Sequence, residues 1–118
     1  MSEQSNNTAG NLSLSVGGSF TRNVGGGEVR QVSSDQTVNV GRKRSTNVGS
    51  DDALAVGRKL VISAGDELVL RVGAASLTLK KDGTIVLRGR DITIDGSGRI
   101  DVKSSGDVRI KGSKITSN

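Results

Sequence analysis

A chain of 118 residues with a net charge of +5, 17 glycines and one aromatic side chain, Phe20, is too poor in bulky apolar groups to enclose an ordinary single-domain core. It has no His, Cys, Pro, Trp or Tyr, which leaves out disulfide frameworks and the usual Ser/His and Cys/His catalytic pairs. No run of eighteen apolar residues occurs, and the opening "MSEQSNNTAG" has neither a basic n-region nor an apolar h-region, so neither a membrane span nor a signal peptide is expected.

Residues 1 to 10 fall outside the pattern that follows and are expected to form a flexible N-terminal tail. From residue 11 to 118 the chain is organised by an eight-residue repeat. Gly17, Gly25, Gly41, Gly49, Gly57, Gly65, Gly73 and Gly89 lie multiples of eight apart, and only Ser33 and Lys81 interrupt that column. The position before it holds Val16, Val24, Val32, Val40, Val48, Val56, Ala64 and Val72. A period this regular marks a repeat architecture and has to be read before any local element.

Within each octad the residues read as a short strand followed by a corner. Runs such as "LVLRV" and "TIVLRG" are rich in Leu and β-branched residues, and Gly or Ser punctuates them. Glycine at each corner permits a positive or otherwise unusual φ. Asn-Gly is absent, and Asp82-Gly83 and Asp95-Gly96 do not recur with the repeat, so the expected winding is parallel, as in a β-helix. One chain cannot support it: two or three apolar side chains per octad contribute roughly 1.5–3 kcal/mol apiece. Ordering eight residues costs on the order of 12 kcal/mol. The expected fold is therefore all-β, an intertwined homotrimeric triangular parallel β-helix, or β-prism, in which octads of three chains stack about 4.8 Å apart over roughly 60 Å.

Stacking brings residues eight apart into register, where opposite charges are favoured. Lys43, Asp51, Lys59 and Glu67 alternate in sign, as do Asp91, Arg99 and Asp107; Asp95 faces Lys103 and Asp101 faces Arg109. Asn23, Gln31, Asn39 and Asn47 suit an amide ladder, whereas Arg22 over Arg30 opposes the rule. Two regimes follow. Residues 11 to 53 form a polar half and residues 54 to 118 an apolar half, in which Leu68/Leu70, Leu77/Leu79, Ile85/Leu87, Ile92/Ile94, Ile100/Val102 and Val108/Ile110 pair. The expected trimer core comprises Val40, Val48, Val56, Leu70, Val72, Leu77, Ile85, Ile92, Ile94, Ile100, Val102, Val108 and Ile110. Between Ile85 and Ile92 the step is seven, which predicts a change of corner near "LRGRD".

The valine-glycine octads, followed by "ISAGDELVLRVGAASLTLKKDGTIVLRGRDITIDGSGRIDVKSSGDVRIKGSKITSN", resemble the C-terminal needle of the VgrG family of type VI secretion spikes over residues 11 to 118. That needle is similar to the β-helices of contractile phage tail spikes. The resemblance implies a homotrimer that sits on upstream spike-base and tail-tube proteins, is driven through a target membrane, and carries a PAAR-repeat tip protein on its blunt end. By position, tip binding would fall to Gly112, Ser113, Lys114, Ile115, Thr116, Ser117 and Asn118; a frayed terminus is the alternative. The family's bulky N-terminal domains have no counterpart here, so the sequence reads as an excised fragment or a stand-alone needle. Related spikes hold iron through His-x-His, and the lack of His favours a separate cap over a metal tip. Such a protein would be cytoplasmic before firing and then delivered outward.

Other chemistry fits less well. Asp51/Asp52 read as ladder members rather than an acid/base pair, "VGGGE" is a corner variant rather than a phosphate loop, and "DGSGRID" only faintly echoes calcium-binding repeats. No enzyme activity, cofactor, metal or small-molecule substrate is expected. A trimeric receptor-binding or adhesive fibre remains open, as does a basic nucleic-acid-binding rod. For the latter, "GRKR" at 41 to 44 would face "SDDA" at 49 to 52, and there are no aromatic residues for base stacking beyond Phe20.

Overall fold

The computed structural model describes residues 6–118, and among these no residue is helical. Part of the expected N-terminal tail, residues 1–5, lies outside the described residues. The chain separates after Asp52 into two units, the second running from Ala53 to Asn118.

In the first unit the described backbone forms neither helix nor strand and bends at Ala9–Gly10, Gly17–Gly18, Gly25–Gly26, Ser33–Ser34, Gly41–Arg42 and Gly49–Ser50. The bends keep the eight-residue spacing, and Ser33 bends as the glycines do. Side chains repeat with the backbone: Val16, Val24, Val32, Val40 and Val48 are all 46–50% exposed. The two arginines that should repel are reconciled by a third residue. Glu28 Oε1 lies 3.3 Å from an Nη of Arg22 and 3.6 Å from an Nη of Arg30, so one carboxylate bridges both guanidinium groups. All three side chains are well exposed, which limits each pair to about 0–1 kcal/mol.

The second unit opens with bends at Gly57–Arg58 and Gly65–Asp66 and then departs from parallel winding. Three strands, β1 (Glu67–Val72), β2 (Ala75–Lys80) and β3 (Ile85–Arg88), form an antiparallel meander in the order β1-β2-β3. The expected parallel sense is thus corrected for this segment. The cause is two turns. Val72 pairs with Ala75, leaving a two-residue loop, Gly73-Ala74, in which Gly73 has φ +54°. Ala74 has no positive φ, so the loop fits a type II′ turn, whose twist matches the strands it joins.

The second turn uses the Asp82-Gly83 pair, which does not recur with the repeat. The Gly83 N–H donates to the Lys80 carbonyl at 3.0 Å and the Lys80 N–H to the Thr84 carbonyl at 3.0 Å, with Gly83 at φ +93°. This is a type I turn closed by a left-handed glycine. The Asp82 carboxylate accepts the Thr84 N–H at 3.0 Å, and that bond holds its pKa below the ordinary 3.8. Because the folded pKa is depressed, the support from ionised Asp82 is complete above the ordinary value and is lost as pH falls through the folded one. The Thr84 amide shift should therefore titrate with Asp82 in acid, and an unchanged titration in Asp82→Asn would refute the assignment.

Beyond Arg88 the bends resume at Arg90–Asp91, Ser97–Gly98 and Ser105–Gly106. The bend at Arg90–Asp91 falls one residue late, but those at Ser97 and Ser105 return to the eight-residue register of Gly57 and Gly65, so the change of corner expected near "LRGRD" displaces a single bend. Exposure again repeats by octads: Ile92, Ile100 and Val108 are 50–53% exposed, and Ile94, Val102 and Ile110 are 72–74% exposed. The Gly106 N–H donates to Ser104 Oγ at 3.1 Å and steadies one of these corners.

The corner glycines differ from the expectation. Among the described residues only Gly73 and Gly83 have positive φ. A Cβ added at Gly17, Gly25, Gly41, Gly49, Gly57 or Gly65 would meet nothing within 4 Å. Neither strain nor crowding inside the chain requires glycine at those corners. Gly96, outside the glycine column, is constrained instead: its Cβ would lie 2.9 Å from Ile100 Cγ1.

Candidate assembly interface

The register of the meander sorts its side chains by face. Leu68 pairs with Leu79 and Leu79 with Ile85; Leu70 pairs with Leu77 and Leu77 with Leu87; Val72 pairs with Ala75. Successive side chains of a strand alternate between faces, so these eight aliphatic residues share one face. The other face carries Glu67 opposite Lys80, Val69 and Val86 flanking Thr78, and Arg71 and Arg88 flanking Ser76. Half-apolar strands of this kind specify register strongly, because a one-residue slip would turn every leucine to the wrong side.

The start of β1 is also tied to the second turn. The Lys81 N–H donates to the Asp66 carbonyl at 3.0 Å, and Lys81 Nζ lies 3.3 Å from Asp66 Oδ1. This extends the β1–β2 ladder by one residue past Glu67–Lys80.

Among the described residues nothing packs over the leucine face. Leu70 is 55% exposed, Ile85 67% and Leu87 58%, and the shallow depression among Leu70, Val72, Ala75, Leu77 and Leu87 is open. No described hydrophobic residue is buried. The chain presents 13104 Å² of accessible surface, whereas a folded monomer of its 12.2 kDa mass presents about 6,100 Å² and an unfolded chain about 17,700 Å². Its backbone is equally unpartnered: among the described residues, every backbone–backbone hydrogen bond lies between Asp66 and Arg88. Backbone groups left without protein partners over so many residues mark strands that lack their neighbours.

The expected core positions fall into two groups. Leu70, Val72, Leu77 and Ile85 are brought together on the meander face. Val40, Val48, Val56, Ile92, Ile94, Ile100, Val102, Val108 and Ile110 stand outside the strands and are exposed. None of the oppositely charged residues eight apart is within ion-pair distance among the described residues; apart from Lys81–Asp66 across the meander, the pairs that form are local, as in Arg99 Nε to Asp101 Oδ2 at 3.2 Å. At the C-terminal end, Gly112 to Asn118 are exposed, with a bend at Ser113 and Ile115 62% exposed.

Two features escaped the sequence reading. Gly73-Ala74 between alternating "LVLRV" and "ASLTLK" is a Gly-X hairpin signal, legible once two-residue loops other than Asn-Gly are considered. Glu28, which lies between Arg22 and Arg30, sits six residues from one and two from the other and so belongs to a different eight-residue column from theirs. No cluster of three or more His, Cys, Asp or Glu residues suited to a metal ion occurs among the described residues, and no described helix is long and apolar enough to cross a membrane. In comparison with known proteins, no family model and no curated protein matches the chain.

Proposed function

We propose that three copies of this chain wind into a β-helical needle that serves as the membrane-puncturing segment of a contractile injection machine, with its C-terminal end, Gly112 to Asn118, carrying a PAAR-type tip protein. The observation that supports the trimer is the absence of any buried hydrophobic residue among the described residues of a chain whose accessible surface is about twice that of a compact monomer. The octads outside the meander make no backbone ladder of their own, and the leucine face supplies apolar area that no described residue covers. The puncturing role rests on the sequence resemblance to VgrG needles. A rod whose strand edges are paired by interleaved chains would be suited to axial load, because no edge outside its ends stays open.

Light scattering after size exclusion should give a mass of about 37 kDa, three times the 12.2 kDa chain, with early elution. A compact monomer would refute the reading. For the tip, a PAAR-repeat protein should be captured by the full chain and lost on removal of residues 112–118; capture unaffected by that truncation would move the tip site elsewhere. A trimer that takes no tip protein but binds cell surfaces would favour the adhesive fibre.

A further inference from the structure

We infer that the Glu67–Arg88 meander is where assembly begins, and that its leucine face, docking on the same face of two further copies of this chain, sets the register of all three. The inference rests on the trimeric reading above. Three observations lead to it. First, the meander is the part of the described chain that makes its own backbone hydrogen bonds. Its strands are joined by loops of two and four residues, so closing them costs little chain entropy and needs no partner. Every other octad must wait for a second chain before it gains a ladder bond.

Second, the octads are nearly interchangeable while the meander is not. Val40-Gly41, Val48-Gly49 and Val56-Gly57 repeat the same pair, so three chains displaced by whole octads would still match valine to valine. The charge columns resist a slip of eight, since Lys43, Asp51, Lys59 and Glu67 alternate, but a slip of sixteen restores every sign. Repeats alone leave register weakly specified. The meander occurs once, and its register is fixed by two turns that each require a left-handed glycine, Gly73 and Gly83. Third, it presents its aliphatic rows, Leu68-Leu79-Ile85 and Leu70-Leu77-Leu87, on one uncovered face. That face can associate before any octad is ordered, and the flanking octads then pair outward from a fixed alignment.

The test is refolding of the full chain from denaturant at several concentrations, with pulse-labelled hydrogen exchange read residue by residue. Amides bonded within Asp66–Arg88 should gain protection first and at a rate independent of concentration; those of residues 9–65 and 90–118 should follow in a concentration-dependent phase. Simultaneous protection, or earlier protection of the octads, would overturn the inference while leaving the trimer intact. A chain that stays monomeric at every concentration would overturn the trimeric reading as well.

Rate constants give a second readout. Leu77→Ala should slow assembly by at least about tenfold, whereas Ile110→Ala should mainly speed dissociation; equal effects on assembly would count against a nucleus at the meander. For register, the cysteine-free chain accepts a single spin label through Ser50→Cys. The labelled parent should give one interchain distance and the labelled Leu70→Ala/Leu77→Ala chain several. A single distance in both would place the register elsewhere.

Discussion

Leu77→Asp is expected to abolish the proposed trimer, leaving a chain whose light-scattering mass is that of a monomer. Leu77 sits on the middle strand of the meander between Leu70 and Leu87, so it occupies the centre of the aliphatic face. Truncating a buried leucine costs about 2–5 kcal/mol, and in a threefold assembly the loss occurs three times, roughly 6–15 kcal/mol for the trimer. Aspartate adds a charge that must be desolvated beside its two symmetry mates, and like charges at a shared site oppose one another further. Val69→Asp is the control. Val69 lies on β1 but on the polar face, opposite Thr78, so it should leave the mass near three chains. If both variants remain trimeric, the leucine face is not the assembly surface; if Val69→Asp alone dissociates, the two faces have been assigned the wrong way round.

The second large effect is expected at Gly73. Its φ of +54° lies in the left-handed region, where a β-branched residue is strained by about 1–3 kcal/mol per chain. Gly73→Val should open the β1–β2 hairpin and lower the melting temperature of the assembly. Gly57 occupies the same eight-residue column but has no positive φ and open space around its missing Cβ. Any cost of Gly57→Val must therefore arise between chains. Circular dichroism of a dilute, dissociated sample separates the two: Gly73→Val should reduce its strand signal and Gly57→Val should leave it unchanged. Equal losses in both would mean that the corner glycines do share one conformational requirement.

How far the sequence reached is clearest at this column. The octad and the strand-rich character were legible, because they depend on spacing and residue type alone. The leucine pairs were legible too, since alternation in "LVLRV" and "ASLTLK" places them on one face whichever way the strand runs. The sense of the turn was not. Six residues plus a two-residue bend make eight, and six strand residues plus the Gly73-Ala74 hairpin loop also make eight. Glycine accepts either sign of φ, so Gly65 and Gly73 look identical in the sequence while one bends the chain onward and the other reverses it.

The sequence by itself determined the repeat, the all-β character, the division of apolar and polar positions, and the poverty of side chains from which a self-contained core could be made. Those properties follow from residue identity and period. Only the tertiary structure decided that Glu67 to Arg88 folds back as an antiparallel meander, that Glu28 bridges Arg22 and Arg30, and that the column glycines outside the hairpin turn are unstrained within the chain. Each of these depends on the sign of a backbone angle or on a contact between residues of different columns, and an eight-residue period carries neither.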